Sequence, residues 1–226
     1  MSQKEPGEQI GDVPYFPEEA EKLVWMSPNF PKIKGNQMTV SEIFTIAVEA
    51  LKKEHKELCE AQAKFHYKPS DEIGCGIADL EEKHIQYILY KAFLQYGQLM
   101  VSYEEPYGNN KCDLVLYNDE IKENIWIEIK VHGYCTDGEY KKWTMIDIEK
   151  LKTLRQRGAH KYCLITALDN TRPDEHEWKE WVEKNLPEVV FNTGLFKFFE
   201  IKFSDKKRFI KGYYTICLLE IKNDSI

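Results

Sequence analysis

CDLVLYNDEIKENIWIEIK, residues 112–130, holds two short apolar runs around a polar turn, with Asp113, Glu128 and Lys130 set inside them. A strand sends successive side chains to opposite faces. In IWIEIKV this puts Trp126, Glu128 and Lys130 on one face and Ile125, Ile127, Ile129 and Val131 on the other. In CDLVLY it puts Asp113, Val115 and Tyr117 together, opposite Cys112, Leu114 and Leu116. Matching the two aliphatic faces in an antiparallel hairpin sets Leu116 against Ile125 and Leu114 against Ile127. Asp113 then falls opposite Glu128. Facing carboxylates destabilise a strand pair unless something offsets their charge. A divalent cation does so: Mg²⁺ takes carboxylate oxygens, keeps several waters and needs few protein ligands. Lys130 would lie beside such an ion, where an ammonium orients a water or stabilises charge on a phosphate. The competing reading is a half-exposed sheet on which Trp126, Glu128 and Lys130 are ordinary solvated residues.

The rest of the chain sets the context for this hairpin. With 226 residues, 42% hydrophobic and 13% aromatic, it has enough core-forming material for one large globular domain and too much for a disordered chain. The net charge of −7 argues against a protein that coats nucleic acid over its whole surface. Two basic stretches stand out: residues 141–163 carry five Lys and two Arg against two acids, and residues 202–211 carry five bases against one. The cysteines at 59, 75, 112, 135, 163 and 217 form no CxxC pair and no zinc spacing, as free thiols in a reducing cytoplasm would. No basic leader precedes an apolar stretch, and no apolar run approaches membrane-spanning length. A soluble, cytoplasmic protein with no membrane partner is the expectation.

Residues 1–36 hold five of the nine prolines and read as an irregular N-terminal segment. Thr39 and Glu42 then form a capping box before a long amphipathic helix, whole or broken near His55. A second helix follows Asp79 and ends before Gly97. Three strands come next, LMVSYEE and the two of the hairpin. Thr144 and Asp147 are predicted to cap a third helix running to about Gln156, which leaves VHGYCTDGEYKKW as a long connecting loop. YCLITAL reads as a buried strand, and Thr171 with Asp174 caps a helix whose Trp178 and Trp181 are expected in the core. His132 and Tyr134 stand close to the hairpin acids in sequence, His132 with a structural role expected. The C-terminal runs LFKFFEIKF and GYYTICLLEI extend the sheet.

Asp113, an interval of fifteen, then Glu128-Ile129-Lys130 resembles the D…ExK signature of the PD-(D/E)XK nuclease superfamily, the restriction-endonuclease-like fold. The order helix, three strands, helix, strand over about 79–168 is also that family's. The proline that names the motif is absent, since Cys112 precedes Asp113. The resemblance implies an α/β restriction-endonuclease-like core at 73–226, with a central mixed β-sheet flanked by helices in αβββαβ order. An N-terminal helical extension at 1–72 precedes it.

The resemblance further implies a Mg²⁺-dependent nuclease, with Mn²⁺ as a substitute ion. Asp113, Glu128 and the Ile129 carbonyl would be the ligands and Lys130 the water-positioning amine. It also implies an acid from the preceding helix. Glu81, in line with Ile85 and Ile88, is preferred over Glu82, which can close a capping box with Asp79. DNA is the implied substrate, with phosphate contacts expected from Lys141, Lys142, Arg155, Arg157, Lys206, Lys207 and Arg208. Sequence-specific cutting would call for a homodimer, for which the 39–66 helix offers an interface. Two alternatives stay open: an RNA endonuclease of the same fold, and a non-catalytic nucleic-acid- or protein-binding protein on the same scaffold.

Overall fold

The computed structural model describes residues 39–64, 76–95, 100–118, 123–132, 137–156, 158–205 and 208–222. Residues 37–226 form one compact unit, so the long helix belongs to the same body as the sheet. That helix, α1 (Val40–Lys64), begins at the expected capping box. Thr39 Oγ1 accepts from the Glu42 N–H at 3.2 Å, and Glu42 Oε2 accepts from the Thr39 N–H at 2.6 Å. It runs unbroken past His55. Its apolar stripe of Ile43, Phe44, Ala47 and Leu51 is buried, packed towards α2 (Glu82–Leu94) and a 3₁₀ turn at Gly76–Asp79. The other side carries exposed Lys–Glu pairs such as Lys53–Glu57 and Lys56–Glu60, each at 3.8 Å.

Gly76 makes the close approach of the 3₁₀ turn to α1 feasible. Its φ is +70°, and a Cβ there would come within 2.2 Å of the His55 ring. Gly76→Ala therefore combines a left-handed backbone with a steric clash, and is expected to cost about 2–4 kcal/mol in urea unfolding. A loss below about 0.5 kcal/mol would show that the turn simply moves aside.

The sheet has seven strands: β1 (Met100–Tyr107), β2 (Asn110–Asn118), β3 (Glu123–His132), β4 (Ala159–Asp169), β5 (Val189–Val190), β6 (Phe196–Asp205) and β7 (Arg208–Ile221). Their order is β1-β2-β3-β4-β7-β5, with β6 also paired to β7. Among the described strands only β3 and β4 run parallel, joined by the crossover helix α3 (Asp137–Lys152). The protein is thus α/β, with a mixed, open, mostly antiparallel sheet flanked by helices. The order α2, β1, β2, β3, α3, β4 is the one expected from sequence. The hairpin register is also as predicted, Leu114 against Ile127 and Leu116 against Ile125.

The half-exposed-sheet reading does not survive. Trp126 and Glu128 are only 3% and 2% exposed, because α3 and α4 (Glu175–Asn185) cover their face. A core cluster joins Val115 and Trp126 of the sheet to Ile148 and Leu151 of α3 and Val182 and Leu186 of α4. The third helix departs from expectation. It starts at Asp137 rather than near Thr144, so most of the anticipated loop is helical and Thr144 and Asp147 are buried mid-helix. A Thr-x-x-Asp pair is a weak cap signal when the surrounding sequence lacks a breaker. Among the described residues no helix is long and apolar enough to cross a membrane.

Candidate functional site

The ladder on both sides of Asp113 is interrupted. On one side the β1–β2 register passes from Tyr103↔Leu114 to Glu105↔Cys112, and the skipped residue, Glu104, has φ +51°. A non-glycine residue in that region marks local strain. On the other side the β2–β3 ladder ends at Leu114↔Ile127. In place of a backbone rung, Asp113 Oδ2 accepts from the Ile129 N–H at 2.7 Å. The strands therefore part where the two acids meet, and the Asp113 side chain bridges the gap.

Glu128 stands close enough to Asp113 across this opening for each carboxyl to shift the titration of the other. Burial, then the negative charge of Asp113, pushes Glu128 up to about 9, so it holds a proton at neutral pH. Asp113 is also raised by burial, a rise opposed by the Ile129 N–H and by Glu128. Glu128 Oε1 is buried and accepts no aligned hydrogen bond from any described residue. Lys150 Nζ stands 3.1 Å from it, a charge contact rather than a directed bond.

Two lysines and two further acids complete the cluster. Lys130 Nζ lies 2.7 Å from Asp147 Oδ2 and 3.1 Å from Glu82 Oε2. Burial works against its charge, but Asp147 and Glu82 outweigh burial and hold the ammonium above its ordinary range. Lys150 also touches Asp147, at 3.2 Å. Four carboxyls thus face two ammoniums, a surplus of two negative charges when all are ionised. Such a buried surplus either retains protons or takes up a cation.

Comparison with protein-family models, curated proteins and solved structures finds no match. The chemistry of the site therefore rests on its own residues.

Asp113 and Glu128 meet, with Ile129 tied to Asp113 through its N–H, while Lys130 turns to Asp147 and Glu82 and is linked to Glu128 through Asp147 and Lys150. The helical acid needs correction. Glu82, not Glu81, reaches Lys130, while Glu81 is the exposed N-cap residue of α2 and makes no side-chain cap. The cause is a shift in helix start: Asp79 closes the 3₁₀ turn instead of capping α2, so Glu82 opens the helix on the face of Ile85, Gln86 and Leu89. Asp147 and Lys150 were not anticipated as site residues. Their signal was the stripe Tyr140, Thr144, Asp147, Ile148, Leu151, an inward helix face with a charged residue in it.

Of the expected phosphate-contacting residues, the three that are described do not join this cluster. Lys141 and Lys142 are exposed on α3, with Lys142 over the Trp143 ring at 5.4 Å, and Arg155 is exposed beyond the helix end. Arg157, Lys206, Lys207 and the side chain of Arg208 lie outside the described residues, as does Tyr134.

Among the described residues no three His, Cys, Asp or Glu side chains converge as a ready cage. Mg²⁺ does not need one, since it is held by one or two carboxylates and completes its shell with water. Asp113 and Glu128 supply hard oxygen donors, and the Glu128 Oε1 atom without an aligned bond is the place where a cation would replace a proton and the Lys150 contact. The residues fit such an ion.

Proposed function

We propose that this chain is a Mg²⁺-dependent nuclease that hydrolyses phosphodiester bonds, a DNA endonuclease first of all, on a PD-(D/E)XK-like scaffold. The observation that supports this most is the pairing of half-buried Asp113 with buried Glu128 at a gap in the sheet, beside a network in which Asp147 holds both Lys130 and the Lys150 that faces Glu128. Asp113, Glu128 and the Ile129 carbonyl would hold one Mg²⁺, or Mn²⁺ in its place. Bound there, the ion supplies a Lewis acid for the phosphate and acidity for its water.

The remaining chemistry belongs to side chains. Lys130, kept charged by Asp147 and Glu82, positions the attacking water and offsets negative charge that builds on the phosphate. Glu82 and Asp147 act through Lys130, as positioning residues. Exposed Lys141, Lys142 and Arg155 are available to phosphates of the flanking strand.

Glu82→Ala is expected to lower cleavage about tenfold to a hundredfold, as for other groups that orient a catalytic side chain. Glu81→Ala should stay within about twofold, having no contact to lose. Equal losses in the two would remove Glu82 from its assigned role.

One contact favours a second reading. Lys150 already stands 3.1 Å from Glu128, where a cation would bind, so the cluster could serve purely as an ion network in a nucleic-acid- or protein-binding protein. Incubating the protein with supercoiled plasmid, linear duplex DNA and structured RNA, with and without Mg²⁺, separates these readings. Plasmid nicking that needs Mg²⁺ and disappears in Glu128→Ala supports the endonuclease. Cleavage of RNA alone selects the RNA enzyme, and cleavage unchanged in the variant, or none with any substrate, leaves the binding protein.

A further inference from the structure

Beyond the ends of β3 and β4, on the same side of the sheet as Lys130, the structure has a cavity of about 280 Å³. Its walls are largely aromatic. His132 and Tyr140 stack edge to face at 4.0 Å, Tyr140 continues to Trp181 at 5.6 Å, and Trp181 to Trp178 at 5.9 Å. Trp178 and Trp181, expected in the core, are half-buried: one part of each ring packs on the core cluster and the other faces this space. Two carboxylates, Asp169 and Glu177, complete the polar lining, and among the described residues no Lys or Arg lines it. Asp169 is held from behind by the Thr215 hydroxyl, which fixes its orientation.

The chemistry of these walls selects a flat, π-bearing ligand with hydrogen-bond donors on its edge. Aromatic faces stack on planar rings, and fixed carboxylates accept from exocyclic amino groups. A cavity of this size has room for a planar ring system such as one nucleobase. Position adds the second argument. His132 follows Lys130 by two residues on β3, about 7 Å along the strand. Tyr140 precedes Asp147 by two turns on the same face of α3, about 10 Å along the helix. The cavity is thus offset from the acid–lysine cluster by the reach of a base from its own phosphate.

We propose that this cavity receives one unpaired nucleobase of the substrate strand, carrying an exocyclic amine, while the adjoining phosphate sits at Asp113, Glu128 and Lys130. The inference rests on the nuclease reading for its phosphate position, and it makes the substrate class a nucleic acid with an unpaired or extruded nucleotide. A base inside a duplex is not available to such a pocket without being taken out of the stack.

The test measures binding without Mg²⁺, so that it does not depend on cleavage. Fluorescence anisotropy would compare three duplexes that are identical except for one position: a bulged cytosine or adenine, a bulged abasic site, or full pairing. The bulged base should bind about tenfold tighter than the abasic site, as one base–aromatic stack provides. Trp178→Ala should reduce that ratio towards one, and Trp178→Phe, which keeps an aromatic face and checks the fold, should largely restore it. Equal affinity for bulged base and abasic site in the wild type overturns the proposal. So does a ratio untouched by Trp178→Ala. A preserved ratio in a protein that cleaves nothing with Mg²⁺ supports the pocket and rejects only the catalytic reading.

Discussion

Asp113→Asn is expected to reduce Mg²⁺-dependent cleavage by about a thousandfold or more, while the protein melts close to the wild type. The fold should tolerate the change because the Asn carbonyl oxygen can still accept from the Ile129 N–H, the bond that closes the gap between β2 and β3. What the change removes is the second anionic oxygen donor at the buried Glu128. An amide is a weaker ligand for a hard cation and carries no charge to offset it. Replacing groups that merely orient a ligand costs tenfold to a hundredfold, so a ligand itself should cost more. Lys130→Ala should lose about a hundredfold to a thousandfold for a different reason, since it removes charge stabilisation but leaves both carboxylates. Single-turnover cleavage of a labelled duplex, beside a thermal melt, measures both. Retention of a tenth or more of wild-type rate in both variants would remove the proposed machinery.

The second large effect concerns the apo protein and pH. Glu128 in the folded protein titrates near 9, against an ordinary value of 4.5. Between those pH values the native state binds a proton that the unfolded chain has released. Stability therefore falls as pH rises through that window, the opposite of a carboxylate held low by a salt bridge. Glu128→Gln supplies a neutral group of the same size and should raise metal-free stability at pH 8 by about 2 kcal/mol, or roughly 4–8 °C in Tm. Lys150 keeps Asp147 as a partner in the variant. The wild type should gain Tm on addition of Mg²⁺ and the variant should not, because the ion takes the place of the proton. By the same linkage, Mg²⁺ affinity measured calorimetrically should strengthen as pH rises from 6.5 to 8.5, approaching tenfold per unit. A variant that melts below wild type at pH 8, with Mg²⁺ affinity flat in pH, would show that the pair holds no proton.

The helix α2 shows where reading the chain alone stops short. Asp79 and Glu82 have capping-box spacing, and nothing local opposes it. Gly76 nevertheless lies against His55 of α1, residues 76–79 form a 3₁₀ turn, and the helix starts at Glu82. The choice between Glu81 and Glu82 follows from that start, which the local spacing does not show. Asp147 and Lys150 were hidden in the same way, since their approach to β3 depends on how the crossover helix is phased against the sheet. The aromatic cavity needs α4 laid beside the ends of β3 and β4, and no local pattern in Trp178 or Trp181 separates core from pocket wall.

Alternation of apolar side chains sufficed to fix the hairpin register, and with it the meeting of Asp113 and Glu128, because a slip of one residue would turn every isoleucine of β3 out of the core. Element order up to β4 followed from periodicity for the same local reason. Only the tertiary structure decided that Glu128 is buried at this meeting place, that it keeps a proton there, and which acids hold Lys130. Burial and distance between remote segments set those properties, and neither is encoded in the spacing of residues along one strand.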